Sequence, residues 1–143
     1  MQFLSAEHRF DILNVFEFTS VRKRMSVILR DRDGRIKLYC KGADNVILSR
    51  VCPVNSEHTE TTVEHLEAFA KDGFRTLVVA YRVISEEEYV QWSRVWNQAA
   101  TSLTDRERKC QEAAELIEKN LIVLGATAIE DKLQMVSFKT YLL

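Results

Sequence analysis

The sequence has little of what would make a membrane-spanning, secreted or loop-rich protein. Its longest apolar run, LIVLGATAI at 121–129, has nine residues, about half of the roughly 20 that a membrane-spanning helix requires. The first ten residues lack the basic and apolar segments of a secretory signal. Only four glycines and one proline occur among 143 residues. We therefore expect one soluble, well-packed domain that does not itself cross a membrane.

Cysteine and excess charge are also scarce. Cys40, Cys52 and Cys110 are widely spaced, without a Cys-x-x-Cys pair or a histidine at metal-ligand spacing. We expect reduced thiols in an intracellular protein and no metal site. The net charge of -1 gives no general attraction for nucleic acid or an anionic membrane surface. Any affinity for phosphate must therefore be local.

Short segments rich in branched and aromatic residues predict the strands. They lie at 14–18, 25–30, 35–40, 75–82 and 121–129. Asp33-Gly34 predicts a hairpin turn between the second and third of them. The last run is apolar throughout, which predicts a strand buried on both faces.

Capping residues indicate where helices begin. Asp44 is a candidate cap for a short helix that runs to about Val51. Three capping boxes predict the starts of further helices: Thr61/Glu64, Ser85/Glu88 and Thr104/Glu107. Gly73 predicts the end of the first of these helices. The other two are expected to form an antiparallel hairpin with Trp92 and Trp96 in the core. The expected fold class is α/β of the α+β type, an antiparallel sheet flanked by helices.

The stretch EFTSVRKRMSV at 17–27 combines residue types that can hold a nucleobase. Phe18 could stack on a base, and the thioether of Met25 could pack against its other face. Lys23 lies between them in a basic patch of three. Taken alone, the same residues are more simply explained as a core aromatic, a core methionine and a solvated connection.

Two other stretches carry hydrogen-bond donors that a bound ligand could use. In KGAD at 41–44, Gly42 and Ala43 lack bulk, so a flat group could approach the backbone while Lys41 donates to it. Arg75 has a fork of donors that suits phosphate or ribose. A plain strand-to-helix turn and a surface salt bridge explain these residues as well.

Taken together, four blocks occur in the order seen in P-type ATPases: FEFTSVRKRMSVILR, LYCKGAD, GFRTLVVAYR and GATAIEDKLQ. Over roughly residues 10–134 the sequence resembles the nucleotide-binding (N) domain of the phospholipid-transporting branch, the lipid flippases. Cation pumps usually have proline where Asp44 and Lys132 stand, so these two residues favour the flippase branch.

The resemblance implies an ATP site. It puts adenine stacking on Phe18 and a lysine deep in the pocket on Lys41. The other implied positions are Thr19 at the rim, Lys23, Met25, Gly42, Ala43, Arg75 near ribose and phosphates, Leu77 on the wall and Asp131 at the hinge. Magnesium would be bound mainly by the phosphorylation domain of the parent enzyme.

The family's D-K-T-G-T and T-G-E-S motifs are absent, so we expect no catalytic residue in this chain and no complete ATPase cycle. The expected division is a partial nucleotide-binding domain at 1–129, a hinge at 130–134 and a divergent tail at 135–143. In the parent, the resemblance implies phosphorylation and actuator domains, a membrane phospholipid and a position on the cytosolic side. The lipid, the membrane and any β-subunit stay open.

Two other functions are compatible with parts of the sequence. One is a protein-interaction module that binds through the helical hairpin at 85–120, which would expose Trp92 and Trp96. The other is a self-sufficient phosphatase or kinase. The second is disfavoured because an aspartate nucleophile motif, a Walker-type glycine loop and a cysteine-histidine pairing are missing.

Overall fold

The computed structural model describes residues 8–54 and 58–130. Within them, five strands form one antiparallel sheet in sequential order. The strands are β1 (Asp11–Phe16), β2 (Arg24–Arg30), β3 (Ile36–Gly42), β4 (Arg75–Ile84) and β5 (Ile122–Ile129). The helices are α1 (Asp44–Leu48), α2 (Thr59–Lys71), α3 (Glu86–Ala100) and α4 (Arg106–Ile117). The predicted α+β fold with an antiparallel sheet is confirmed.

The β2–β3 hairpin confirms the predicted turn. Gly34 takes a φ of +78°, a conformation that glycine adopts at little cost. The Asp31 side chain accepts the amide protons of Asp33 at 3.0 Å and Arg35 at 2.9 Å, which closes the loop.

All four helices contribute to one hydrophobic core on a single face of the sheet. Ile47 of α1, Leu66 of α2, Trp92 of α3 and Ile117 of α4 belong to the same buried cluster as the inward-facing strand residues, among them Leu38. Because successive strand residues point to opposite faces, the other face carries the alternating set. In the described part of the chain, residues of this open face such as Val27, Tyr39 and Val83 are half-buried or exposed.

Helices α3 and α4 form the predicted hairpin. The indole N–H of Trp92 donates to the Ala113 carbonyl at 2.8 Å, and the Lys109 ammonium donates to the Ser102 hydroxyl at 2.7 Å. The Ser85 hydroxyl accepts the Glu88 amide proton at 3.1 Å, which confirms this cap. Trp92 is buried and its ring stacks on that of Trp96 at a centroid distance of 5.6 Å.

Three predicted caps are wrong. Ala43 is the N-cap of α1, and the Asp44 carboxylate accepts the Asn45 amide proton instead. Helix α2 begins two residues before Thr61, with His58 as its N-cap. Helix α4 is preceded by Asp105 at a φ of +50°, so Thr104 lies one residue too early. A local cap signal competes with tertiary packing, and the observed N-caps lie one to three residues from the predicted ones.

The prediction that 121–129 is covered on both faces is also wrong. Leu121 and Val123 are buried, but Leu124 and residues 127–130 are exposed. The physical reason is position, because β5 lies at one edge of the described sheet and pairs with β4 alone there. The first strand is shifted as well, since β1 ends at Phe16 and leaves Phe18 in the following loop.

The one-sided core predicts a strong contrast between two strand positions. Leu38→Ala removes a fully buried side chain of β3 and should lower the free energy of unfolding by about 2–5 kcal/mol. Val83→Ala, on the exposed face of β4, should change it by less than about 0.5 kcal/mol. Urea unfolding followed by circular dichroism measures both. Equal effects would contradict the assignment of the two faces.

Candidate nucleotide-binding site

The predicted nucleotide-binding residues meet at one end of the sheet. The loop after β1 carries Phe18 and leads to Lys23, directly before β2. Strand β3 ends at Gly42, and β4 begins at Arg75. In an antiparallel sheet the end of one strand lies beside the start of the next. Residues that are far apart in the sequence therefore converge there.

Several of these residues also share the open face of the sheet. Met25, Lys41 and Val79 are successive cross-strand partners on β2, β3 and β4. Leu77 and Arg75 alternate with Val79 along β4, so they lie on the same face. Leu77 is half-buried and Arg75 is exposed.

A shallow hollow of about 270 Å³ opens at this position. It is lined by Met25, Ser26, Val27, Tyr39, Cys40, Lys41 and Val79. Two of the predicted site residues, Met25 and Lys41, thus border one cavity with apolar and aromatic neighbours. Burial raises the pKa of the Cys40 thiol, and a hydrogen bond involving Ser26 opposes that rise.

Tyr39 is a lining residue that we did not predict. It stands two positions before Lys41, so the strand alternation in RIKLYCKG could have identified it. Its ring stacks on that of Tyr81, its cross-strand partner, with centroids 6.0 Å apart and an interplanar angle of 25°. This pair forms a flat aromatic wall next to the hollow.

Phe18 and Thr19 lie outside the lining of this hollow. Phe18 is 57% exposed in the loop after β1. The Thr19 hydroxyl accepts the Arg22 amide proton at 3.1 Å, and its carbonyl accepts that of Lys23 at 2.8 Å. Thr19 therefore closes the loop and borders a different cavity, which Trp96 also lines. Its position at the rim of the nucleotide site stays a prediction.

The basic patch of three is not one surface. Arg22 is 9% exposed and Arg24 3%, whereas Lys23 between them is exposed. Burial opposes the charge of Arg24, but hydrogen bonds and charges from Glu118 and Glu115 outweigh it and raise the pKa of the guanidinium. Of the three cations, Lys23 is therefore the one available to a ligand.

Position 42 requires glycine because another backbone segment passes close to it. A Cβ at this position would lie 2.5 Å from the Lys23 carbonyl oxygen and 2.6 Å from the Arg24 Cβ. The same carbonyl accepts the Ala43 amide proton at 3.0 Å. The close contact expected for a flat ligand is thus made here by the chain itself, and contact of Gly42 or Ala43 with a ligand stays a prediction.

Asp131 lies outside the described residues. Strand β5 ends at Ile129, paired with Arg75. No group of three or more His, Cys, Asp or Glu that could hold a metal ion occurs among the residues described. Across 8–54 and 58–130, none of the helices has the length and apolar character needed to cross a membrane.

Comparison with known proteins identifies the sequence family. Residues 2–135 match the model of a family described as P-type ATPase, cytoplasmic domain N. The chain is similar to phospholipid-transporting ATPase DRS2 of Saccharomyces cerevisiae, with 56% identity over 128 residues, 90% of this chain and 9% of the relative.

Two further relatives give the same result. Phospholipid-transporting ATPase C887.12 of Schizosaccharomyces pombe is 52% identical over 90% of this chain and 10% of its own length. Probable phospholipid-transporting ATPase 11 of Arabidopsis thaliana is 50% identical over 91% of this chain and 11% of its own length. The chain spans about a tenth of the length of these curated relatives. The resemblance to the phospholipid-transporting branch is confirmed.

The crowding at Gly42 predicts a stability effect. In Gly42→Ala, the added methyl group must displace the Lys23 carbonyl or the start of β2. Overpacking of this kind costs typically about 1–3 kcal/mol. The free energy of unfolding, measured by urea denaturation, should fall by that amount. A variant as stable as the parent chain would show that the two segments are not in contact.

Proposed function

Because the chain belongs to the cytoplasmic domain N family of P-type ATPases, we propose that it is an ATP-binding domain of a phospholipid-transporting ATPase. One observation carries the proposal. Met25 and Lys41 border a single hollow on the open sheet face, and Phe18, Lys23 and Arg75 lie at the same end of the sheet.

The adenine base is the part of ATP that fits the hollow. Its volume of about 270 Å³ lies just below the usual range of roughly 300–1,000 Å³ for small-molecule pockets, so it suits a base better than a whole nucleotide. Met25 and Val79 supply an apolar wall, and the Lys41 ammonium donates to acceptor atoms of the ring. Phe18 in the adjoining loop stacks on the base.

The ribose and phosphates extend beyond the end of the sheet. Arg75 stands there as a fork of donors for phosphate or ribose oxygen, with Lys23 as a second cation. Leu77 covers the ribose side of the base, and Thr19 lies at the rim. Asp131 belongs to the hinge at 130–134, between the partial domain at 1–129 and a divergent tail at 135–143.

The contribution to phosphoryl transfer is binding and orientation. The domain holds ATP by its base and presents the γ-phosphate to an aspartate outside this sequence, on the phosphorylation domain. Magnesium, held mainly by that other domain, supplies charge neutralisation when bound. Positioning and electrostatics are the main means by which proteins promote phosphoryl transfer. In the parent, the domain works with the actuator domain on the cytosolic side and serves transport of a membrane phospholipid.

The packing of the tryptophans argues against the interaction module. That alternative required exposed indole rings on the α3–α4 hairpin. Trp92 is instead buried and hydrogen-bonded, and its stacking on Trp96 contributes to the core. This packing supports a scaffolding role for the hairpin.

Direct binding is the first test of the proposal. The 143-residue chain should bind ATP with a dissociation constant of about 1 mM, equivalent to roughly −4 kcal/mol. An NMR titration should move the amide signals of Met25, Lys41 and Arg75 in a saturable way. Absence of saturable shifts from a chain with native circular dichroism would overturn the proposal.

Matched substitutions test where ATP binds. Phe18→Ala should raise the dissociation constant at least fivefold, since stacking on an aromatic ring contributes about 1–3 kcal/mol per base. Lys41→Ala should raise it about tenfold, as expected for loss of a hydrogen bond from a charged group. Unfolding curves should stay close to those of the parent, because both side chains are exposed.

Two residues provide controls for these variants. Phe10→Ala removes an aromatic ring of similar exposure at the opposite end of β1. Lys37→Ala removes a lysine from the same strand and face as Lys41, but at the hairpin end, where it pairs with Asp31 at 3.0 Å. Neither should alter ATP affinity. If a control weakens binding as much as its counterpart, the site lies elsewhere.

A further inference from the structure

A carboxylate is buried where α4 ends. Glu118 follows the last helical residue and is 1% exposed. Its Oε1 accepts from Arg22 Nη2 at 2.6 Å and from the Ser26 hydroxyl at 2.5 Å. Its Oε2 accepts from Arg24 Nε at 2.9 Å and Nη2 at 2.6 Å. Glu118, Arg22, Arg24 and Ser26 together form the buried ion cluster.

The buried ion cluster sets the direction of the segment that carries Lys23. Arg22 and Arg24 both point inward to Glu118, so Lys23 between them is turned outward. Its φ of +52° lies in the left-handed region that side-chain-bearing residues rarely adopt. In this conformation its carbonyl receives the Ala43 amide proton at 3.0 Å. The loop after β1 is thereby joined to the Lys41–Ala43 segment.

The preceding turn of α4 also contacts the segment after α1. Glu115 accepts from Arg24 Nη2 at 2.6 Å and from Arg50 Nη2 at 2.9 Å. Arg50 lies shortly after α1, the helix that begins next to Ala43. One end of α4 therefore contacts both the start of β2 and the segment after α1, on the sheet face opposite the hollow.

We infer that Glu118 is a positioning residue for nucleotide binding, acting through Arg22 on the loop at 17–23. Buried ion pairs are inefficient as stabilisers, because desolvation offsets much of their attraction, and fixing one arrangement is their best-supported role. Here the arrangement that they fix is the loop carrying Phe18, Thr19 and Lys23. The inference rests on the ATP-binding function proposed above.

Two buried arginines provide a matched test. Arg22→Met removes the guanidinium that joins the loop to Glu118. Arg82→Met removes an equally buried arginine of β4, which pairs with Glu88 at 2.5 Å and donates to the Ile117 carbonyl at 3.2 Å. Both variants remove a buried arginine from its ion pair, but Arg82 bonds to Glu88 and Ile117, neither of which belongs to the loop at 17–23.

The first readout is ATP affinity in the full chain, measured by NMR titration at a temperature where circular dichroism shows each variant folded. R22M should raise the dissociation constant at least about tenfold, since small misplacements of binding groups are costly. R82M should change it less than about twofold, as expected for a distant, independent site. An unchanged affinity in R22M, or an equal loss in R82M, would overturn the positioning role.

The second readout is the loop itself. Amide hydrogen exchange at Arg22 and Lys23, whose N–H groups bond to Thr19, should accelerate in R22M and stay at the parent rate in R82M. Equal exchange in the two variants would also overturn the inference. No saturable ATP binding by the parent chain would instead overturn the proposed function, and the positioning role with it.

A conservative variant keeps the test valid if R22M does not fold. Arg22→Lys retains the positive charge beside Glu118 but loses the two-pronged contact of the guanidinium. Its ATP affinity should lie between those of the parent and R22M, which is the partial rescue expected of a positioning residue. Affinity equal to that of the parent chain would contradict the inference.

Discussion

A charge inside a protein must have a partner, and this constraint connects the helices of the domain to its open face. Arg22 and Arg24 have little contact with water, so their positive charges depend on the Glu118 carboxylate. Removing Glu118 would leave the buried Arg22 charge without its carboxylate partner, which is far more costly than losing an exposed ion pair. The loop after β1, the start of β2 and the end of α4 must therefore form together. Most of the residues proposed to hold ATP lie on the first two of these segments and on β3 and β4, which continue the sheet from β2.

The second constraint is that all four helices cover one face of the sheet. The inner face has an aliphatic core, whereas the outer face keeps Met25, Tyr39 and Lys41 at a surface that ligands can reach. An antiparallel order of strands then gathers residues from four separate segments at one end. Residues on several strands form this site. The hydrogen bonds of the sheet therefore hold them in fixed relative positions. In the proposed site, the base would contact the sheet on one side and the loop after β1 on the other.

Much of the fold could be predicted from local sequence. The Asp-Gly turn, the Ser85 cap and the alternating strands need nothing beyond their own neighbours, and they agree with the structure. The caps at Thr61 and Thr104 could not be located because tertiary packing, and not the cap residue alone, influences where a helix begins. The strand at 121–129 was wrongly expected to be covered on both faces. Its apolar composition is visible in the local sequence. How many neighbours cover an edge strand depends on the whole sheet.

The candidate site could likewise be predicted only in part from the local sequence. Residues close together in the chain were enough to identify the strands, the small residues after Lys41 and the family to which the four blocks belong. Contacts between distant segments were needed to show that Arg22 and Arg24 turn inward while Lys23 turns out, and that Gly42 makes room for the Lys23 carbonyl. The physical reason is the distance along the chain between partners. The carboxylate that neutralises Arg22 stands 96 residues later, and nothing in the local pattern of RKR reveals that it will be there.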